Sequence, residues 1–93
     1  MNKPKRIDVS KKFLKQHKKA PQNIRKAWIK RLSIFTQDSL HPLLNNHALT
    51  GELSGYRSIN ITGDWRALYS EHEEDKKIVI VFEVMGTHSQ LYG

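Results

Sequence analysis

The residues of this sequence that can move protons or hold a phosphate fall in three short stretches. His47 lies in Asn46-His47-Ala48-Leu49-Thr50-Gly51, and Arg57 follows soon after in Gly55-Tyr56-Arg57. Asp64 and Arg66 lie in Gly63-Asp64-Trp65-Arg66, and His88 lies in Gly86-Thr87-His88-Ser89. An imidazole gives or takes a proton near neutral pH, and a carboxylate orients it or serves as base. A guanidinium binds a phosphate through two parallel hydrogen bonds. Together these groups suit RNA cleavage. A base takes the proton of a 2′-hydroxyl, whose oxygen attacks the adjacent phosphorus. An acid protonates the departing 5′-oxygen, and arginines stabilise the charge that develops on the phosphoryl oxygens. That route requires no metal and no cofactor.

Each residue also has a plainer role. Asp64 after Gly63 is an ordinary turn residue, His88 can cap the chain end, and His47 can bond within its own loop. Arg57 and Arg66 sit in strands, where each is either half of a phosphate clamp or a partly buried arginine paired with Glu83 or Glu52. The structural role is favoured for Arg57. Trp65 and Tyr92 can stack on bases; for Trp65 a place in the core fits equally well. Of the other histidines, His17 and His72 are expected to face solvent, and His41 is a spare candidate beside Pro42. His41 and His47 are six apart on a loop, without a cysteine or an HExxH helix, so no metal site is expected.

The elements that must position these groups follow from the pattern. Lys5-Arg6-Ile7-Asp8-Val9 alternates weakly and reads as a short first strand. Ser10 is a plausible N-cap for a Lys-rich helix in which Phe13 and Leu14 are the few apolar residues. Pro21 opens a second helix, with Ile24, Ala27, Trp28, Leu32 and Phe35 at steps of three and four. Residues 38–46 read as loop, pinned to the core by Leu43, Leu44 and Leu49. Three strands follow. Tyr56–Ile61 has Arg57, Ile59 and Ile61 on one side and Tyr56, Ser58 and Asn60 on the other. Trp65–Glu71 is next, then a polar hairpin loop at 72–76. Ile78–Val84 is a nearly all-apolar central strand that Gly86 breaks, leaving residues 87–93 as a tail. The order β-α-α-β-β-β gives an α+β domain, a helical hairpin on a small, mostly antiparallel sheet with one face partly open. Strand ends gather at one rim, so His47, Asp64 and His88 can converge there.

Ninety-three residues fit a single domain spanning 1–93. No cysteine is present, which excludes a disulfide scaffold, a thiolate metal site and a thiol nucleophile and fits a reducing cytoplasm. No apolar run is long enough to span a bilayer, and no apolar segment follows the basic N-terminus as a secretory signal would require. The net charge of +7 is unevenly spread. Residues 1–31 hold 12 of the 16 lysines and arginines and one acidic residue; residues 32–93 hold 4 basic and 8 acidic residues. The basic third, with Lys11, Lys12, Lys15, Lys18 and Lys19 on one helix, reads as an electrostatic footprint for nucleic acid or an acidic protein.

In residues 46–93 the pattern His-x-Leu-x-Gly, Gly-Tyr-Arg, Asp-Trp with a strand ending in Tyr, and Gly-Thr-His-x-x-Leu with an aromatic resembles the YafQ branch of the RelE/ParE toxin superfamily. The first 45 residues match in helix order and charge only. The resemblance implies a RelE-like fold and a metal-independent endoribonuclease that cuts mRNA in the translating ribosome. It also implies a cognate antitoxin as partner, besides the ribosome and mRNA, and no membrane. It assigns His47, Asp64 and His88 to the active site. Trp65 and Arg66 match the segment after the aspartate, and Tyr92 matches a position usually held by phenylalanine. The lysine-rich helix is expected to contact ribosomal RNA. One departure stands out: Asn60 occupies the place of a family histidine, and an amide can bind a phosphate or a base but carries no proton at neutral pH.

Overall fold

The computed structural model describes residues 4–93. β1 is Arg6–Val9, α1 Lys11–Lys19, α2 Gln22–Gln37, β2 His47–Ala48, β3 Arg57–Asn60, β4 Trp65–Glu74, β5 Lys77–Thr87 and α3 His88–Tyr92. The strands form one sheet in the order β1-β5-β4-β3-β2. β1 runs parallel to β5 and every other neighbour is antiparallel, so the expected α+β architecture is present.

Local chemistry explains the helices. Ser10 caps α1 by accepting the Phe13 N–H at 2.9 Å, and its hydroxyl reaches the Glu83 carbonyl at the point where β1 ends. Only Phe13 of α1 is fully buried; Gln16 and His17 are half-buried, Leu14 is 54% exposed, and the lysines form a solvated, basic surface. α2 buries Ile24, Trp28 and Phe35, the stripe that its period of three and four requires. Phe13, Trp28 and Phe35 meet Phe82 with ring centroids 4.8–6.0 Å apart, and Tyr69 closes the cluster. Ile59, Ile61, Ala67, Ile80 and Met85 complete this core on the helix-covered face.

Four expectations need correction. The polar stretch at 72–76 is not a loop: β4 and β5 run through it, and the turn is Asp75-Lys76 alone. Both residues have positive φ (52° and 63°), as the two-residue turn that matches strand twist demands. Neither Asn-Gly nor Asp-Gly marks the turn, so the sequence hid it. Gly86 does not break β5, because it pairs with Arg66 within the ladder. The tail is α3, opened by a capping box in which Thr87 accepts the Gln90 N–H and Gln90 accepts the Thr87 N–H. In the loop between α2 and β3, Leu44 alone is fully buried. Leu43 is 55% exposed, and the short β2 is an element that the residue pattern does not announce.

Candidate active site

Alternation along each strand divides the sheet into a helix face and an open face. On β3, Arg57 and Ile59 point to the helices, while Ser58 and Asn60 point away. On β4, Ala67 and Tyr69 point inward, while Arg66 and Leu68 point outward. β2 adds one residue to each side. Ala48 stands opposite Arg57, and His47 stands opposite Ser58 on the open face. α3 then lies back over that face. Gly86 permits the close approach, since a Cβ there would sit 2.9 Å from Gln90 Oε1.

This arrangement lines up the groups expected to do chemistry. The Tyr92 hydroxyl donates to Ser58 Oγ at 3.0 Å, and its ring meets the His88 imidazole edge-on with centroids 4.7 Å apart. The His88 N–H donates to the Asp64 carbonyl at 2.9 Å, which ties the β3–β4 turn to the start of α3. The Asp64 carboxylate is exposed at that end of the face. His47 is exposed, and its Nδ1 lies 2.8 Å from the Asn45 carbonyl. A carbonyl can only accept, so in the neutral ring Nδ1 holds the proton and Nε2 is left as a proton acceptor. Asn45 aims that carbonyl from a left-handed conformation (φ 46°, ψ 47°) that asparagine tolerates better than most residues.

Arg66 stands opposite Asn60 and anchors the turn beneath it: its Nη1 donates to the carbonyls of Gly63 at 2.8 Å and Thr62 at 3.1 Å. These bonds involve a single nitrogen, so Nε and Nη2 stay available to an anion. Asn60 Oδ1 is enclosed without a hydrogen-bond partner among the described residues.

Arg57 is not in this group. It lies on the helix face, where Nε donates to Asn46 Oδ1 at 2.9 Å; Asn46 Nδ2 in turn donates to the Tyr69 hydroxyl at 2.8 Å. Burial holds the Tyr69 hydroxyl above its usual pKa. The structural role favoured for Arg57 is the one observed, with Asn46 as partner in place of Glu83 or Glu52. Trp65 is partly buried and packs against the helix-face core. It also lines a cleft of ≈ 560 Å³ beside α3, whose wall includes Lys12, Lys19, Tyr56 and Leu91.

The five α1 lysines are exposed, and none forms an ion pair among the described residues, where the cations in salt bridges are Lys5 and Arg6. His17 is not the solvent-facing residue expected: it is half-buried and its Nε2 is enclosed. His72 is exposed on β4, bonded to Ser70, and His41 caps the turn that follows it. No three His, Asp or Glu side chains are grouped to hold a metal ion among the described residues, and no helix there is long and apolar enough to cross a membrane. Sequence reasoning missed Ser58. Its signal was its place between Tyr56 and Asn60 on the outward side of β3.

Comparison with known proteins gives this geometry a lineage. Residues 4–93 match the model of the bacterial toxin of type II toxin–antitoxin systems, YafQ. No curated protein sequence matches significantly. Among solved structures, YafQ from E. coli is 28% identical with a TM-score of 0.67, covering 94% of this chain and 97% of that one. The toxin of the E. coli DinJ–YafQ toxin–antitoxin complex is 26% identical with a TM-score of 0.71, covering 94% and 96%. The RelBE2 toxin–antitoxin complex of Mycobacterium tuberculosis shares the fold, at 20% identity and a TM-score of 0.70 over 91% and 99%. The match over nearly the whole chain places this protein in the YafQ family of bacterial type II toxin–antitoxin toxins.

Proposed function

We propose that this toxin is an endoribonuclease that cleaves mRNA on the translating ribosome by acid–base chemistry at the open face. The observation that carries the reading is the state of His47. Its Nδ1 donates to the Asn45 carbonyl and leaves Nε2 as a base on the face that also bears His88 and Arg66. His47 takes the 2′-hydroxyl proton, and His88 protonates the departing 5′-oxygen. The exposed Asp64 carboxylate stands at the same end of the face, its backbone carbonyl joined to the His88 N–H at the start of α3. Arg66 meets the charge on the phosphoryl oxygens, and Asn60 binds a phosphate or base without moving a proton. The exposed lysines of α1, without ion pairs among the described residues, supply attraction to ribosomal RNA.

An antitoxin partner is proposed on two grounds. The E. coli and Mycobacterium tuberculosis relatives were each solved with an antitoxin. The basic α1 surface also suits an acidic segment that folds as it binds.

Primer extension on a reporter mRNA after brief induction tests the reading, with wild type beside His88→Ala. Cuts in reading frame are expected from the wild type, falling by about 10²–10⁴-fold in the variant, the usual weight of one proton-transfer group. His88 is exposed at the start of α3, so the variant should keep its fold. Growth arrest without cuts would overturn the ribonuclease and turn the search to a protein target.

A further inference from the structure

Ser58 is the one fully buried polar side chain among the described residues, and it lies on the open face of the sheet. It faces His47 across β2–β3 and Leu68 across β3–β4. A buried hydroxyl needs a partner, and the Tyr92 hydroxyl supplies it at 3.0 Å. Tyr92 ends a helix of 5 residues, far too short to persist without anchorage. The start of α3 is secured by the capping box and by the His88 N–H on the Asp64 carbonyl. Beyond that, the Tyr92–Ser58 bond is the one side-chain hydrogen bond from α3 to the sheet among the described residues.

Tyr92 and His88 are four apart, one helical turn, which brings their rings together edge-on at 4.7 Å. The ring is thus held at its tip by Ser58 while one flank rests against the imidazole. We propose that the Tyr92–Ser58 hydrogen bond is a latch that fixes α3 on the sheet and, through the Tyr92 ring, sets the orientation of His88. Ser58 and Tyr92 are then positioning residues. Ser58 is also the register partner of His47, so the latch is anchored on the strand that pairs with the other histidine. The catalytic consequence rests on the ribonuclease reading; the mechanical one does not.

Two substitutions separate the latch from the rest of the packing. Tyr92→Phe keeps the ring against His88 and removes only the hydroxyl, whereas Ser58→Ala removes the acceptor from the sheet. Amide exchange in α3, followed by NMR on the full chain, should quicken by about 2- to 10-fold in each, the weight of one ordinary hydrogen bond. The His88 ring protons should shift as the imidazole loses its fixed neighbour. The double variant should match the singles, because all three lack the same bond. In RNA cleavage, kcat should fall with KM unchanged, since orientation acts on the reacting geometry and not on binding.

Exchange and His88 signals that stay at wild-type values in Tyr92→Phe would overturn the latch, as would effects that add in the double variant. A wild type that leaves RNA intact, while both variants loosen α3 and move His88, would defeat the ribonuclease reading and uphold the latch.

Discussion

On β3 the chain turns Arg57 toward the helices and Ser58 away from them, and the two faces of the sheet differ as those neighbours do. The helix face is closed by the rings of Phe13, Trp28, Phe35, Tyr69 and Phe82. Its one arginine is held by the side-chain amide of Asn46. The open face carries exposed His47 and His88 and, among the described residues, an Asn60 oxygen without a partner and an Arg66 bonded through one nitrogen. The polar groups Arg57, Asn46 and Tyr69 of the first face bond to one another and are at least half-buried, which stabilises the fold. Those on the second are fixed at one atom and open at another, the condition a reactive group needs. The contrast teaches that the type of a residue says less about its role than the face to which its strand turns it.

The contrast breaks most sharply at a residue from each face. Phe35 is 2% exposed and contacts both Tyr69 and Phe82, so Phe35→Ala should cost about 3–5 kcal/mol. That is a large share of the roughly 5–15 kcal/mol expected of a small domain, and chemical denaturation would show it. His88→Ala should leave the denaturation midpoint nearly unchanged while cleavage is lost. A His88→Ala protein as unstable as Phe35→Ala would erase the distinction between the faces.

The two arginines sharpen it further. Arg57→Ala leaves Asn46 Oδ1 without its donor and should cost about 1–3 kcal/mol of stability, with cleavage by the folded fraction unchanged. Arg66→Ala should lower cleavage on the order of 10²-fold, the weight of a donor aimed at developing charge. Its effect on stability should be the smaller of the two, because the turn carbonyls it releases can reach water. Equal losses of activity in both variants, measured per folded molecule, would put the phosphate clamp on both faces.

How much of this the sequence revealed depends on the range of the interactions involved. The α2 stripe and the in-and-out alternation of β3 and β4 are local periodicities, and Ser10 as cap is a local signal; all three were legible. α3 was not, since its capping box is Thr87 with Gln90 and no Asp, Glu or apolar run marks it as helix. Nor was the two-residue turn at Asp75-Lys76, where lysine takes a positive φ that the tight hairpin enforces. His47, Asp64 and His88 were singled out as candidates by type and by their places near strand ends. The pairing of Ser58 with Tyr92, 34 residues apart, exists only once β3 and α3 meet. The hydrogen bond that fixes the His47 tautomer likewise depends on the backbone of Asn45, to which residue types give no direct guide.

A weaker effect belongs to neither face. The lysines of α1 form no ion pairs among the described residues, so their charge is available to a polyanion. Changing Lys11, Lys12 and Lys15 together to glutamate should weaken ribosome binding and flatten its dependence on salt, the slope falling by about one for each phosphate no longer neutralised. An unchanged affinity at low salt would remove α1 from the binding surface and confine RNA recognition to the open face.

The smallest effect lies at the tip of the β4–β5 hairpin, at the end of the ladder opposite to Trp65 and Thr87. Lys5 donates to Glu74 at 2.9 Å and Arg6 at 3.2 Å, and these bonds, that of Lys5 first, hold the Glu74 carboxyl down at about 2, well below its usual 4.5. A carboxyl whose pKa is lowered by folding adds stability above its unfolded value and loses it as the pH falls through the folded one. The contribution is therefore whole above about pH 4.5 and fades toward pH 2. All three groups are exposed, so water and salt screen the attraction. Glu74→Gln should lower the Tm slightly at pH 7, less at high salt, with only a small part of that deficit left at pH 2. A deficit undiminished at pH 2 would show that Glu74 supports the hairpin by its shape and not its charge. The tip would then share the dependence on packing that marks the helix face.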